Sequence, residues 1–293
     1  MTAIPERLPR PYRGRLAPSP TGYLHLGHAC TFWTAQERAR AADGTLVLRN
    51  EDLDRERCRT EFAEAMLEDL AWFGFRWDEG PDLGGPLGPY TQSQRAASYA
   101  EAFARLREDG FVYPCRCSRR EVRLAARAPH AADEEPVYPG TCRPSWPGSP
   151  LVDASAGAVS WRFRVPDGEA ISFHDQCVGL STFVAGVDFG DFIVWRHDGV
   201  ASYQLAVVTD DASMGITEVV RGSDLLLSTA RQLLLYQALG FTAPKFYHCP
   251  LVTDEHGVRL AKRHDMLSLR ALRTRGLNPA EIRASPEFRA AQA

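Results

Sequence analysis

The sequence predicts an α/β fold, a mostly parallel sheet covered on both faces by helices. Three observations predict it. Short β-branched or apolar runs alternate with helical periodicity, Gly/Pro clusters punctuate the joins, and 293 residues at 44% hydrophobic can bury a sizeable core. In chain order, an apolar run over 14–17 breaks at Pro18-Ser19-Pro20-Thr21-Gly22 and opens into a helix over 25–41. A strand over 45–49 follows, then a helix with Phe62, Met66, Leu70 and Phe73 on one face. Glycines 80, 84, 85 and 88 with prolines 81, 86 and 89 make 78–90 an irregular loop. Ser93 is expected to cap a helix that turns Ala96, Tyr99, Phe103 and Leu106 inward and ends at Gly110. From 112 to about 177 the composition shifts: a cysteine pair, an Ala/Pro/acid-rich stretch over 125–136 and a strand over 159–165, read together as an inserted subdomain. Strands over 191–196 and 201–208 around Asp198-Gly199 read as a hairpin. A strand over 216–221, a leucine-rich helix over 224–239 and a strand over 246–252 complete the alternation, and the last 30 residues suffice for two or three short helices.

Composition narrows the function classes. A net charge of −3 carries no global footprint of a nucleic-acid binder. No run approaches the roughly 18–20 apolar residues of a membrane span, and the first residues lack the apolar core of a secretory signal, so a cytoplasmic protein without a membrane partner is expected. Seven cysteines, with Cys115 and Cys117 one residue apart, fit a metal site or buried thiols better than a disulfide framework. Cys30, Cys58, Cys177 and Cys249 read as buried or partly buried thiols. Of 34 basic residues only Lys245 and Lys262 are lysines, so a lysine at a site needing a compact point charge stands out.

The first chemical constellation is Arg15-x-Ala17-Pro18-Ser19-Pro20-Thr21-Gly22 followed by His25-Leu26-Gly27-His28. A strand ending in a tight turn that opens a helix aims backbone N–H groups at one point, an anion site. His25 and His28, three residues apart, share one side of the helix start and could donate to nucleotide phosphates, while Gly27 lets a base or ribose approach the backbone. Two histidines that cap and pack are the plainer alternative.

The stretch RLAPSPTGYLHLGH resembles the glutamyl branch of the class I aminoacyl-tRNA synthetases. So do Arg49-Asn50-Glu51-Asp52-Leu53-Asp54-Arg55-Glu56-Arg57, the loop GGPLGPYTQSQR, the run from Val220 through Arg221 to Leu226, and Arg259-Leu260-Ala261-Lys262-Arg263, in the family's order. The resemblance implies a Rossmann-type catalytic domain with an inserted zinc-containing subdomain and a short helical C-terminal stub, divided as 1–111, 112–188, 189–258 and 259–293. It implies activation of L-glutamate by ATP with Mg²⁺. Arg15 and Arg221 suit the substrate carboxylates, Ser19 and Tyr203 can orient it, Glu51 can hold the ammonium, and all match the family's glutamate contacts, as does Ala17. A structural ion pair is the competing role for Glu51 and Arg221. His25, Gly27, His28 and Lys262 fall at the ATP contacts, with Lys262 the point charge for the leaving pyrophosphate. The loop departs from the family's KMSKS pattern, with Arg259 for the first lysine and Ala261 for the serine.

Cys115, Cys117 and Cys142 suit one structural zinc ion, which would staple a segment too small for its own core. Tyr138 matches the fourth ligand of the branch's short relatives, whereas His130 is the commoner ligand type; three unmetallated cysteines also remain open. Arginines 116, 119, 120, 123 and 127 could grip an RNA backbone or form a solvated helix face. With only about 30 residues after Lys262, the chain is expected to lack the anticodon-reading region of the longer members and to resemble the short ones, which transfer glutamate to queuosine in the anticodon of tRNA(Asp); a monomer is the default expectation for so short a core. Two other readings stay open: a core that glutamylates a tRNA 3′ end beside a separate anticodon-binding protein, and a non-catalytic regulator that binds glutamate or adenylate. The Arg15, Glu51, Tyr203 and Arg221 set argues against another nucleotidyltransferase on the same HxGH core.

Overall fold

A computed structural model describes residues 11–118, 120–122, 137–145, 159–251, 268–285 and 288–289. The first strand–helix pairs follow the expected order: β1 (Arg13–Leu16), α1 (Leu26–Ala41), β2 (Thr45–Leu48) and α2 (Thr60–Phe73). β1 and β2 run parallel, and α2 buries Met66, Leu70 and Phe73, with Phe62 half-buried against the edge of Tyr23. Gly74 closes α2 at φ 102, a left-handed conformation that a Cβ would strain.

The next helix, α3 (Ala96–Glu108), starts later than its expected cap. A 3₁₀ turn over Gln92–Gln94 precedes it, and Ser93 is engaged elsewhere: its N–H and Oγ donate to Asp52 at 2.8 and 2.7 Å. Tyr99 and Leu106 are buried as expected, Phe103 is partly buried, and Ala96 is exposed because it lies in the first turn.

The expected single, mostly parallel sheet is divided. β3 (Val112–Cys115), β4 (Ser160–Phe163) and β7 (Phe192–Trp195) form an antiparallel sheet in the order β3-β4-β7. β5 (Ala170–Asp175) and β6 (Gly179–Val184) form a hairpin that the sequence reading missed. β5 meets β9 (Lys245–Cys249) at Asp175 and Phe246, and β9 pairs in parallel with β8 (Glu218–Gly222). β1 lies beside the start of β8, but a side chain makes half of the join: Arg13 N–H donates to Thr217 Oγ1 at 2.8 Å while Thr217 N–H donates to Arg13 O at 2.9 Å.

The second strand of the expected 191–208 hairpin is instead α4 (Tyr203–Ser213). Ser202 Oγ accepts from Leu205 N–H as its N-cap, and 205–211 are all buried, so the segment carries neither strand alternation nor an amphipathic stripe. After β8, α5 (Leu226–Ala238) packs beside α4, and α6 (Leu269–Thr274) and α7 (Pro279–Ala284) pack on α2. One apolar core lies around α3, α4 and α5 and another around α1 and α2. No helix among the described residues is long and apolar enough to cross a membrane.

Candidate active site

A cavity of about 540 Å³ opens where β1 ends and α1 begins. Arg15, Ala17, Ser19, His25, Gly27, His28, Glu51, Tyr203 and Arg221 all line it, drawn from β1, the following turn, α1, the segment after β2, α4 and β8. Lys262, Arg259, Ala261 and His130 lie outside the described residues.

The histidines cap α1 as well as face the cavity. His28 Nδ1 accepts from the backbone N–H of His25 at 3.3 Å, and the two rings lie tilted against each other with centroids 3.8 Å apart. An accepting Nδ1 puts the proton of the neutral ring on Nε2, which can then donate to an anion. The first turn of α1 carries no acidic residue, so its dipole is uncancelled there.

Under the cavity floor lies a buried ionic network. Arg49, fully buried, donates from Nη2 to Glu51 Oε1 at 2.8 Å and from Nη1 to Asp211 Oδ1 at 2.6 Å. Asp211 Oδ1 is also 3.7 Å from Arg15 Nε. The neighbouring Asp210 accepts from Arg95, Gln92 and Tyr99 at 2.6–2.9 Å. Burial pushes the Glu51 carboxyl up from its ordinary range, against the pull of Arg49. Arg15 donates from Nη1 to Val220 O at 2.8 Å, while its Nε, like Arg221 Nη1, is buried without a hydrogen-bond partner among the described residues. A buried donor without an acceptor costs about 1–3 kcal/mol; Arg15 Nε has the Asp211 carboxylate 3.7 Å away, so of the two it is Arg221 Nη1 that most favours an anionic ligand.

Sequence reasoning missed Arg49, Asp210 and Asp211. The signal was present: two consecutive acids after the apolar run Leu205–Val208 must be paired if the run is buried. Arg57 and Arg196 also line the cavity and received no role.

A second cluster sits at the end of β3. Cys115, Cys117 and Cys142 place their sulfurs within 4.8 Å of one another, with Cys117 and Cys142 at 3.6 Å. Thiolates about 2.3 Å from a tetrahedral zinc stand ~3.8 Å apart, so these residues fit the ion. Tyr138 Oη is 3.4 Å from Cys115 Sγ and 3.5 Å from Cys117 Sγ, and accepts from Cys142 N–H at 2.8 Å. The segment carrying Tyr138 lies directly on Gly190, where a Cβ would stand 2.8 Å from Tyr138 N. Arg162, buried, donates from Nε to Cys115 Sγ at 3.3 Å and stacks on the Tyr138 ring at 3.8 Å. Of the five clustered arginines only Arg116 and Arg120 are among the described residues.

Fold and site together define a class I tRNA synthetase catalytic domain. The family described as "tRNA synthetases class I (E and Q), catalytic domain" matches residues 12–284, and the chain belongs to it. Within the family it is 50% identical over 271 residues to the glutamyl-Q tRNA(Asp) synthetase of Symbiobacterium thermophilum, covering 92% of this chain and 83% of that one. Identity to glutamate–tRNA ligase 1 of Halorhodospira halophila is 43% over 266 residues, 90% of this chain and 56% of that one. Among solved structures, a glutamate tRNA ligase from Elizabethkingia meningosepticum, in complex with its amino acid, matches with a TM-score of 0.75 at 30% identity, over 87% of this chain and 52% of that chain.

Proposed function

We propose that this protein is an ATP-dependent ligase that activates L-glutamate to glutamyl adenylate and transfers the glutamyl group to queuosine in the anticodon of tRNA(Asp). The single observation that carries the activation step is the convergence of nine residues, from Arg15 to Arg221, on one cavity. In this reading Arg15 and Arg221 bind substrate carboxylate, Glu51 the ammonium, and Ala17, Ser19 and Tyr203 orient the amino acid. The carboxylate to be activated attacks the α-phosphate of ATP and pyrophosphate leaves, a step that needs charge neutralisation rather than a general base. His25, Gly27 and His28 receive the nucleotide at the α1 N-terminus, Lys262 neutralises the departing pyrophosphate, and Mg²⁺ accompanies ATP.

Identity of 50% to a glutamyl-Q tRNA(Asp) synthetase, against 43% to a glutamate–tRNA ligase, supports queuosine over a tRNA 3′ end as acceptor. Cys115, Cys117, Cys142 and Tyr138 would hold one structural zinc ion, which supplies cross-linking energy to a segment with little core of its own. The division at 112–188 and the monomeric state belong to the same proposal.

The test is ATP–pyrophosphate exchange with glutamate, glutamine and aspartate, without RNA and then with tRNA(Asp) with and without queuosine. Glutamate-dependent exchange, and stable label transfer only to the queuosine-containing tRNA, is the expected result. Transfer to a tRNA 3′ end overturns the acceptor, and no exchange under any condition overturns the enzyme reading in favour of a regulator.

A further inference from the structure

Arg221 is held from behind by His248 and Thr229, with Asp175 behind the histidine, and the activation chemistry uses none of the three. Its Nε donates to His248 Nε2 at 3.1 Å and its Nη2 to Thr229 Oγ1 at 2.7 Å, with Thr229 Oγ1 in turn 3.0 Å from His248 Nε2. On the other side of the imidazole, His248 Nδ1 stands 2.6 Å from Asp175 Oδ2. Asp175 Oδ1 accepts the backbone N–H groups of Cys177, Val178 and His248 at 2.9–3.2 Å. Asp175, His248 and Thr229 are wholly buried and come from β5, β9 and α5.

The pattern of donors sets the tautomer. Asp175, held as an acceptor by three N–H groups, takes the proton on His248 Nδ1, so His248 Nε2 carries a lone pair and accepts from Arg221. Burial, then the charge of Arg221, outweigh the pull of Asp175 and push the imidazole down to about 4, which keeps the ring neutral beside a guanidinium. Two of the three guanidinium nitrogens are thereby tied, and the third, Nη1, is buried without a hydrogen-bond partner among the described residues, on a side chain that lines the cavity.

We infer that His248, backed by Asp175 and joined by Thr229, is a positioning residue that fixes the Arg221 guanidinium toward the substrate carboxylate and so sets the preference for glutamate over glutamine. This rests on the glutamate reading proposed above. With Arg15 and Arg221 both held in place, a carboxylate meets each guanidinium with an oxygen, whereas a carboxamide can turn its one oxygen to only one of them and sets its NH₂ against the other.

The experiment compares wild type, His248→Leu, His248→Gln and Thr229→Val, reading KM for glutamate, glutamine and ATP in pyrophosphate exchange and glutamate Kd by calorimetry. His248→Leu removes the acceptor and should raise the glutamate KM about tenfold or more and narrow the glutamate/glutamine preference, with the ATP KM within about twofold. His248→Gln places a carbonyl oxygen near the Nε2 position and should recover the glutamate KM to within roughly threefold of wild type. Thr229→Val frees Nη2 and should shift the glutamate KM in the same selective way, which answers the question if His248→Leu does not fold. Equal rises in both KM values, or an unchanged glutamate KM in His248→Leu and Thr229→Val, would overturn the inference. Wild type that binds glutamate without exchange overturns the proposed reaction and leaves the positioning role to be scored on Kd; wild type that does neither overturns both.

Discussion

Arg49 holds Glu51 from beneath: two of its nitrogens, Nε and Nη2, converge on the same oxygen, Oε1, at 3.2 and 2.8 Å. Both bonds use one oxygen, so the ion pair with Arg49 and the ammonium contact proposed for Glu51 are compatible roles of one carboxylate. Glu51→Gln keeps a carbonyl for Arg49 but no charge for an ammonium. It should raise the glutamate KM by roughly 10- to 100-fold, the loss of a charge-assisted contact, with little change in unfolding midpoint. Arg49→Met leaves Glu51 and Asp211 buried without their shared cation and should cost about 3–5 kcal/mol in urea unfolding. A Met variant as stable as wild type would show that the network relaxes to water.

The buried imidazole predicts a pH dependence of stability. His248, with a folded pKa of about 4 set by burial and then by Arg221, stays neutral where the unfolded chain, near 6.5, takes up a proton. Between those values the unfolded state binds more protons, so stability rises with pH through the window and is lost as pH falls from 6.5 toward 4. The loss should be on the order of 3 kcal/mol by pH 4. Urea titrations at pH 4.5 and 7.5 check it, and His248→Gln should flatten the difference; an equal pH effect in that variant would place the dependence in other groups.

How much of this was legible in the sequence depends on how local the signal is. The cavity residues of β1 and α1 were readable because a strand end, a Pro/Gly turn and a helix start fall within 17 consecutive positions, Arg15 through Thr31 in the chain. α4 was not, since burial of every residue from Leu205 to Asp211 erases the periodicity that separates helix from strand. The split of the sheet was hidden for a different reason. β3, β4 and β7 pair across long stretches of chain, and no local pattern specifies such a partner. The Asp175, His248 and Thr229 grip on Arg221 has the same character: four residues from separate elements, each ordinary where it stands in the sequence.

The cysteine cluster makes a stoichiometric prediction. Protein purified without chelator should carry one zinc per chain by elemental analysis, and Cys115→Ser or Cys142→Ser should abolish it. Tyr138→Phe should weaken zinc by about 10- to 100-fold and His130→Ala should leave it unchanged. The reverse ranking would assign the fourth ligand to His130. Arg162→Met removes the donor to Cys115 Sγ and should weaken zinc without removing a ligand.

The capping role of His28 gives a way to test the proposed nucleotide binding apart from amino-acid binding. Its Nδ1 is committed to the backbone of His25, so any work on a phosphate falls to Nε2. His28→Asn preserves an acceptor near the Nδ1 position and deletes the donor, so the α1 N-terminus stays capped while the phosphate contact is lost. Pyrophosphate exchange should then fall by roughly 10²-fold, the scale of one lost donor to developing phosphate charge. Glutamate binding by calorimetry in the absence of ATP should be unchanged, because the side-chain hydrogen bonds of Arg15, Glu51 and Arg221 among the described residues run to Val220, Arg49, His248 and Thr229. If glutamate affinity falls in parallel with exchange, His28 holds the architecture of the cavity and the nucleotide assignment at the start of α1 fails.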